Sequence, residues 1–333
     1  MKENILFINF GGLGDEILFL PSILSVKKEF PESVVTLALE KRSAGIITLT
    51  NAIDNTLFVD IKGKFKYYEL LKLLFEIWTK NFDMVISSGS NKFISVFLFL
   101  TFIKKRYGYN TGKLSEKLLT KAVTLNKNQY AAKMYHDLVR DITDYDTELP
   151  QILVEKQPTV ENSVVIHPGV SKMSIKKGII KTVSADIWAE TVEKLADRGK
   201  KVILLGGSDD KDVIEKIVEK VPSDKFSNMY EKTQSLKELA EIISSAEIFL
   251  CSDSAPLHIA SALGVKTYAI FGSTDDKKLV PENGSIISIK NNCDCPIKPC
   301  LWDKRQTTCD SLDCLKMTSD EIVEKICDKM SEK

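Results

Sequence analysis

The chain has 333 residues, of which 44% are hydrophobic and 28% charged, a composition typical of a globular protein and a length that predicts two domains. Lysine and arginine together number 46, as do aspartate and glutamate, so the zero net charge excludes the global basic field of a nucleic-acid-binding protein. The longest apolar run, residues 93–103, is about half the length of a membrane-spanning helix. With no signal-peptide pattern at the N-terminus, we predict a cytoplasmic protein whose seven cysteines are reduced thiols or metal ligands.

Strand and helix patterns alternate through the first half of the chain. They predict strands at 5–9, 34–39, 57–60 and 84–88, and helices at 16–30, 65–81, 93–103 and 130–142. This alternation is typical of a doubly wound parallel sheet. Residues 93–103, which precede Lys104-Lys105-Arg106, fit either a buried helix or an interfacial helix with a basic collar, and we expect the buried one.

The helical and strand periodicity is lost between residues 143 and 162, where we place a domain boundary. The second half predicts strands at 164–166 and 202–205, a strand–helix–strand unit at 248–271, and helices at 185–198, 210–221, 236–244 and 319–330. We therefore expect an α/β protein with an N-terminal domain at 1–150, a C-terminal domain at 160–318 and a closing helix at 319–333.

The unit at 248–271 contains the turn Ser252-Asp253-Ser254-Ala255-Pro256. Asp253 and Ser254 are N-cap residue types, Pro256 suits the first turn of a helix that begins at about 255, and Gly264 ends it. Such a helix start, at the carboxyl end of a strand, binds phosphate-like anions through backbone N–H groups and the helix dipole. An ordinary, well-capped turn explains the same residues.

The turn Gly11-Gly12-Leu13-Gly14-Asp15 follows the first strand. Its glycine spacing differs from the dinucleotide fingerprint, but glycines there let a ligand approach the backbone closely. Asp15 is either a helix cap or a general base that accepts a proton from a substrate hydroxyl.

His167-Pro168-Gly169 ends the first strand of the second half, and a loop with four lysines follows it: Lys172, Lys176, Lys177 and Lys181. The lysines form either a solvated basic loop or a cationic site that offsets the charge of a departing diphosphate.

The segment 293–314 contains five cysteines. Four of them could form a tetrahedral structural site for zinc or iron: Cys295, Cys300, Cys309 and Cys314. The alternative is that all five are free thiols.

Taken in order, these motifs resemble glycosyltransferase family 9, the ADP-heptose:lipopolysaccharide heptosyltransferase family. The resemblance covers nearly the whole chain. It depends on four blocks: Gly14-Asp15-x-x-Leu18-x-x-Pro21 with Lys28 and Phe30-Pro31; His167-Pro168-Gly169 with Lys181 and Trp188; Asn228 with Thr233-x-Ser235-Leu236-x-Glu238-Leu239 and Asp253-Ser254-Ala255-Pro256-Leu257-His258; and Phe271-Gly272-Ser273-Thr274.

The resemblance implies a GT-B fold, in which two Rossmann-like domains face a central cleft, with the acceptor on the N-terminal side and the nucleotide-sugar on the C-terminal side. It implies that Asp15 is the catalytic base and that Lys181 neutralises the leaving diphosphate. The acceptor-side loop would contain Gly11, Gly12 and Gly14, and the donor would contact His167, Gly169, Lys176, Lys177, Thr233, Ser235, Asp253, Ser254, Ala255, Pro256, Leu257 and His258.

The implied activity is an inverting, metal-independent transfer of a sugar, foremost heptose from ADP-heptose. The implied acceptor is a cell-envelope glycan or glycolipid such as lipopolysaccharide core, reached at the cytoplasmic face of the inner membrane. Three alternatives stay open: another nucleotide-sugar, a protein acceptor, or a non-catalytic sugar-nucleotide-binding subunit. Asp15 argues for an enzyme, because a binding subunit needs no base.

Overall fold

A computed structural model describes residues 3–145, 149–301, 309 and 311–328 of the chain. Internal contacts divide the chain into two compact units, Met1–Leu153 and Val154–Lys333. In the described residues, each unit contains one six-stranded sheet whose strand pairs are all parallel. The predicted α/β class is therefore confirmed.

The sheet of the first unit has the strand order β3-β2-β1-β4-β5-β6. Its strands are β1 (Asn4–Asn9), β2 (Val34–Glu40), β3 (Asn55–Val59), β4 (Met84–Ser87), β5 (Lys105–Tyr109) and β6 (Lys121–Val123). Its helices are α1 (Leu13–Glu29), α2 (Lys66–Trp78), α3 (Ile94–Leu100), α4 (Lys113–Leu118) and α5 (Ala131–His136).

The sheet of the second unit has the order β12-β11-β10-β7-β8-β9, which is the same topology. Its strands are β7 (Val160–His167), β8 (Lys201–Leu204), β9 (Phe226–Asn228), β10 (Ala246–Ser252), β11 (Thr267–Phe271) and β12 (Ile286–Lys290). Its helices are α6 (Lys172–Lys176), α7 (Ala185–Asp197), α8 (Lys211–Lys220), α9 (Leu236–Ser244), α10 (Ala255–Leu263) and α11 (Ser319–Asp328).

The central strands are the most apolar and the most buried. In β1 the run from Ile5 to Ile8 is fully buried, as expected of a strand covered on both faces. In the second unit the indole of Trp188 on α7 fills the core beside Ile166 and Leu250. Burial of these large side chains is the main source of stability for each sheet.

Each sheet has one point at which the strand order reverses, between β1 and β4 in the first unit and between β10 and β7 in the second. In open parallel α/β sheets, ligands bind outside the carboxyl ends of the strands at such a switch point. The turns that follow β1, β7 and β10 all lie there, and all three contain residues that the sequence singled out.

The structure corrects several predicted boundaries. Helix α1 begins at Leu13, because Gly12 already takes the extended N-cap conformation. The strands β5, β6, β9 and β12 were not predicted, since they are short and lie at or near sheet edges where polar residues interrupt the apolar pattern. The predicted end of the last helix, at 329–330, lies outside the described residues.

The segment 93–103 is not the buried helix that we expected. Helix α3 covers only Ile94–Leu100, and Ile94 and Leu98 are its buried apolar residues. Phe93 and Phe102, on either side of it, are 81% and 70% exposed. Within the described residues no helix is both long and apolar enough to span a bilayer.

Candidate functional site

Asp15 lies in the first turn of α1, where its carboxylate accepts two hydrogen bonds. Oδ2 accepts from the backbone N–H of Gly12 at 2.8 Å, and Oδ1 accepts from the hydroxyl of Tyr135 at 3.2 Å. The bond from the N-cap N–H is the reciprocal half of a capping box. Asp15 is thus a helix cap, which is one of the two roles that the sequence predicted. Its side chain is also half-buried at the switch point, where it can contact a ligand.

The glycines of this turn let the backbone pass close to Asp15. A Cβ atom on Gly11 would lie 2.3 Å from the Cβ of Asp15, so no larger residue fits there without a shift. The carbonyl of Gly11 accepts from Arg42 and from Ser43, both at 3.3 Å, and its N–H donates to Asn9 at 3.0 Å. These bonds fix the turn from Gly11 to Gly14 against the ends of β1 and β2.

Glu16, the next residue, has a different environment. Its side chain is 1% exposed, and neither carboxyl oxygen has a hydrogen-bond partner in the described part of the chain. Burial raises the pKa of Glu16 well above its ordinary value; the neighbouring Asp15 raises it further, and Arg42 partly opposes the shift. Burial therefore favours the uncharged form of Glu16, which lies beside the candidate base.

In the second unit, Lys181 and Asp253 form an ion pair of 3.2 Å between Nζ and Oδ2. The same Oδ2 accepts from the hydroxyl of Thr274 at 2.7 Å. Asp253 is almost fully buried, whereas the Lys181 side chain is partly exposed. The pairing fixes the ammonium group at the carboxyl end of β10.

Three buried or partly buried hydroxyl and indole groups connect the loops around this ion pair. The hydroxyl of Ser252 donates to the carbonyl of Pro168 at 3.0 Å. The Ser252 hydroxyl oxygen also lies 2.7 Å from the hydroxyl oxygen of Thr182. The hydroxyl of Thr182 also donates to the Pro168 carbonyl at 2.8 Å and accepts from the Trp188 indole N–H at 2.8 Å. The end of β7, the end of β10 and the loop with Lys181 are thereby held together.

His167 and Gly169 lie at the end of β7, against Asp210. The Nε2 of His167 is 3.4 Å from Oδ2 of Asp210, and a Cβ on Gly169 would lie 1.6 Å from the other carboxylate oxygen. The Nδ1 of His167 is buried without a hydrogen-bond partner among the described residues. A ligand at this edge could satisfy that atom.

The predicted donor segment 253–258 has a mixed environment. Ser254 is the N-cap of α10, but no side chain caps the helix, and Asp253 binds Lys181 and Thr274 instead of capping it. Because Pro256 has no N–H and the N–H of Leu257 donates to Ser254 O at 3.1 Å, this helix start offers fewer free donors than we predicted. Ser254 and Ala255 are partly exposed, whereas Pro256, Leu257 and His258 are buried.

The remaining predicted donor residues lie in separate places. Ser235 caps α9, where it accepts from the N–H of Glu238 at 3.1 Å, and Thr233 is partly buried just before it. Lys176 ends α6 and Lys177 follows it, and both side chains are exposed. Lys181 is thus the lysine that the structure fixes next to the ends of β7 and β10.

The four predicted metal ligands, Cys295, Cys300, Cys309 and Cys314, line one pocket together with Lys298. Yet among the described residues no group of three or more possible ligands is arranged to hold an ion.

The thiols also differ in acidity. Hydrogen bonds from the Leu312 backbone and the Ser311 hydroxyl lower the pKa of the exposed Cys309, whereas burial raises the pKa values of Cys300 and Cys314.

The sequence analysis missed four residues that shape the site. Tyr135 comes from α5, 120 positions away from Asp15, and no local pattern connects the two. Asp210, Thr182 and Thr274 reach the site in the same way, through the topology of the sheet. For Thr274 the sequence gives one signal, its place in the motif Phe271-Gly272-Ser273-Thr274 that resembles the family.

Comparison with known proteins gives consistent relatives. Residues 70–307 match the model of glycosyltransferase family 9 (heptosyltransferase). The chain is 23% identical over 283 residues to "Lipopolysaccharide heptosyltransferase 3" of Escherichia coli (strain K12), covering 79% of this chain and 80% of that protein. It is 22% identical over 307 residues to "Lipooligosaccharide heptosyltransferase 2" of Campylobacter jejuni, covering 89% of each chain.

Solved structures share the fold at lower identity. The E. coli ADP-heptose lipopolysaccharide heptosyltransferase II matches with a TM-score of 0.74 and 16% identity, over 100% of this chain and 99% of that one. An E. coli heptosyltransferase with ADP-2-deoxy-2-fluoro heptose matches with a TM-score of 0.73 and 15% identity, over 98% and 99%. The iron-containing dodecameric glycosyltransferase TibC of E. coli matches with a TM-score of 0.62 and 13% identity, over 100% and 80%.

These structures confirm the GT-B fold that the motifs implied. Because the family match covers well over half of the chain, the protein belongs to glycosyltransferase family 9 (heptosyltransferase) and is a glycosyltransferase.

Proposed function

We propose that this glycosyltransferase transfers heptose from ADP-heptose to a cell-envelope glycan, such as lipopolysaccharide core, with inversion at the anomeric carbon and without a catalytic metal. The observation that carries the proposal is that each unit holds one charged side chain in place at its own switch point, the Asp15 carboxylate in the first unit and the Lys181 ammonium group in the second. The names of the relatives support the donor and the acceptor.

Asp15 serves as the general base. Its two hydrogen bonds, from Gly12 N–H and from the Tyr135 hydroxyl, fix the orientation of the carboxylate. The carboxylate takes the proton of the acceptor hydroxyl while that oxygen bonds to the anomeric carbon of the donor. The bond between this carbon and the phosphate oxygen breaks, and ADP departs with the electron pair.

Lys181 offsets the negative charge that develops on the departing diphosphate. The ammonium group is already held by Asp253, so little reorganisation is needed when charge appears on the phosphate oxygens. A lysine in this role supplies the positive charge that a divalent cation supplies in other transferases. Addition of EDTA should therefore leave the rate of transfer unchanged, and loss of activity that magnesium restores would contradict metal independence.

A lipopolysaccharide-core acceptor would place the enzyme at the cytoplasmic face of the inner membrane. Lipopolysaccharide core is attached to a lipid, and the relatives named for it act on such molecules. Another nucleotide-sugar or a protein acceptor would use the same fold and the same two switch points.

Calorimetric titration of the purified protein with ADP, GDP, UDP and CMP, without added metal, is the first test. Selective binding of ADP would support ADP-heptose as donor, and preference for another nucleotide would overturn that donor while leaving the family unchanged. A non-catalytic subunit would bind a nucleotide yet show no transfer from ADP-heptose to a core acceptor. Transfer that depends on Asp15 therefore separates the enzyme from the binding subunit.

The cysteine pocket needs a separate test, because four thiols line it without forming an ion site in the described geometry. A structural zinc or iron would appear in elemental analysis at one ion per chain and would protect four thiols from modification. Free thiols would leave Cys309 the first to react with a thiol reagent, since it is exposed and its pKa is lowered.

A further inference from the structure

The first unit exposes an unusual number of large apolar side chains on α2, on α3 and at their ends. The most exposed, Phe65 and Phe93 at 75% and 81%, are the N-cap residues of the two helices. We call the whole set the aromatic face: Phe65, Tyr67, Tyr68, Leu71, Phe75, Trp78, Phe93, Phe99, Leu100 and Phe102. A soluble monomer seldom exposes so many neighbouring aromatic residues without a partner for them.

Helix α2 has two apolar stripes, and the fold uses one of them. Leu73, Leu74 and Ile77 are buried against the sheet. The other stripe is exposed and follows the helical period over the whole length of α2, at Tyr68, Leu71, Phe75 and Trp78. Because the unit leaves most of this stripe exposed, packing within the unit does not explain its apolar character.

The two helices meet at their C-terminal ends. The indole N–H of Trp78 donates to the carbonyl of Leu100 at 2.9 Å, and the Trp78 ring stacks on Phe102 with centroids 5.9 Å apart. Phe102 has a φ of 57°, a left-handed conformation that costs a bulky residue about 1 kcal/mol and that glycine would adopt freely. The chain thus has a strained phenylalanine where it completes the aromatic face.

The segment of the chain that contains the aromatic face is rich in basic residues. Residues 61–106 contain nine lysines and arginines but only three aspartates and glutamates, although the whole chain has a net charge of zero. Several of the lysines are exposed: Lys64, Lys66, Lys72, Lys80, Lys92 and Lys104. Two of these, Lys64 and Lys92, directly precede the two most exposed phenylalanines.

We propose that the aromatic face of the first unit binds the surface of an anionic lipid bilayer. Aromatic rings partition into the headgroup region, and surrounding lysines are attracted to the phosphates of acidic lipids. A second copy of the chain is a poorer occupant, because it would bring the same positive charge to the contact. Phe65 and Phe93 follow the carboxyl ends of β3 and β4, at the same sheet edge as Asp15, so a bound bilayer would place lipid-linked acceptors near the candidate base.

Sedimentation with vesicles tests the proposal without any assay of transfer. We expect the purified full chain to bind vesicles of phosphatidylcholine with about one-third phosphatidylglycerol, and to bind less to phosphatidylcholine alone. Raising the salt concentration should weaken binding, because it screens the attraction between lysines and lipid phosphates. The double variant Phe65→Ser, Phe93→Ser should lose at least about tenfold in vesicle affinity, since two large rings no longer enter the interface.

A matched control lies on α8 of the second unit, where Val218 and Lys216 are exposed. The variant Val218→Ser, Lys216→Gln should bind vesicles like the wild type. Vesicle binding by the phenylalanine variant equal to wild type would overturn the proposal. Absence of vesicle binding by the wild type would also overturn it. If the wild type instead dimerises with rising concentration and the phenylalanine variant does not, the aromatic face binds a second copy of the chain. Affinity for ADP should be the same in all variants, so failure here is distinct from failure of the proposed activity.

Discussion

The turn after β1 in the first unit and the turn after β7 in the second occupy equivalent places in two sheets of identical strand order. The first holds a half-buried carboxylate, Asp15, with a backbone N–H and a phenol as its donors. Beside the second, Lys181 is paired with the buried Asp253. One turn thus offers a proton acceptor, whereas the other offers a positive charge.

Under the proposed function, this difference lets one fold serve two chemical tasks. Parallel strands place the ends of their loops at the switch point whatever the loop sequence is. The side chains of those loops then decide whether the edge attracts a hydroxyl group or a phosphate. We expect changes in the first turn to alter turnover and changes in the second to alter donor binding as well.

The largest effect should come from Asp15→Asn. The amide can still accept from Gly12 N–H, but it cannot take a proton, so kcat should fall about 10³-fold. Affinity for ADP, measured by calorimetry, should stay within about twofold of wild type, because the change leaves the second unit intact. Equal losses of turnover and of ADP affinity would show that Asp15 is not the base.

Lys181→Gln should have the next largest effect, and it should lower both turnover and donor affinity. Without the cation, the leaving diphosphate is less stabilised and the donor binds less tightly, so kcat/KM should fall on the order of 10- to 100-fold. Lys176→Gln and Lys177→Gln are the matched controls, since both lysines are exposed in the same connection between β7 and α7. If these controls weaken ADP binding and Lys181→Gln does not, the phosphate ligand is one of them.

Tyr135→Phe should have a smaller effect, confined to the first turn. The variant keeps the ring that packs edge-on against Phe19 but loses the hydroxyl that donates to Asp15. Loss of one hydrogen bond to a charged group should lower kcat about three- to tenfold with little change in donor affinity.

Tyr109→Phe provides the control for Tyr135→Phe. It also removes a buried hydroxyl in the first unit, one that donates to the carbonyl of Met134 at 2.8 Å. It should lower the free energy of unfolding while kcat stays near the wild-type value. Equal losses of kcat in the two variants would show that Tyr135 supports the structure of the unit and not Asp15 in particular.

The sequence predicted the strongly periodic parts of both units and the turns between them. The apolar pattern of the sequence predicts strand β1 and helix α9. Gly264 predicts the end of α10, because glycine favours the left-handed conformation at a helix C-terminus. Contacts distant in sequence could not be predicted, such as the Tyr135 hydroxyl on Asp15 or the hydroxyl of Thr274 on Asp253. The exposure of the aromatic face was missed for a similar reason: periodicity shows that a stripe is apolar, but not that the unit leaves it uncovered.

The two units also differ in how they bury a carboxyl group. Asp253 has a cation and a hydroxyl as partners, whereas Glu16 has no hydrogen-bond partner among the described residues. Because its pKa is raised in the folded protein, Glu16 keeps its proton to higher pH there than in the unfolded chain, which ionises it above about pH 4.3. The free energy of unfolding is therefore unaffected by Glu16 below that pH and decreases as the pH rises towards the folded pKa.

Glu16→Gln removes this titration, so the variant should be more stable than wild type near pH 7, with the difference vanishing near pH 4. Denaturant unfolding at a series of pH values measures it. Glu40→Gln is the matched control in the same unit, because Glu40 is equally buried but pairs with Arg42 at 2.6 Å. That variant should be less stable than wild type at pH 7, since it removes the buried anion that pairs with Arg42 and with Lys62. A destabilised Glu16→Gln protein at pH 7 would mean that the folded state uses the charge of Glu16.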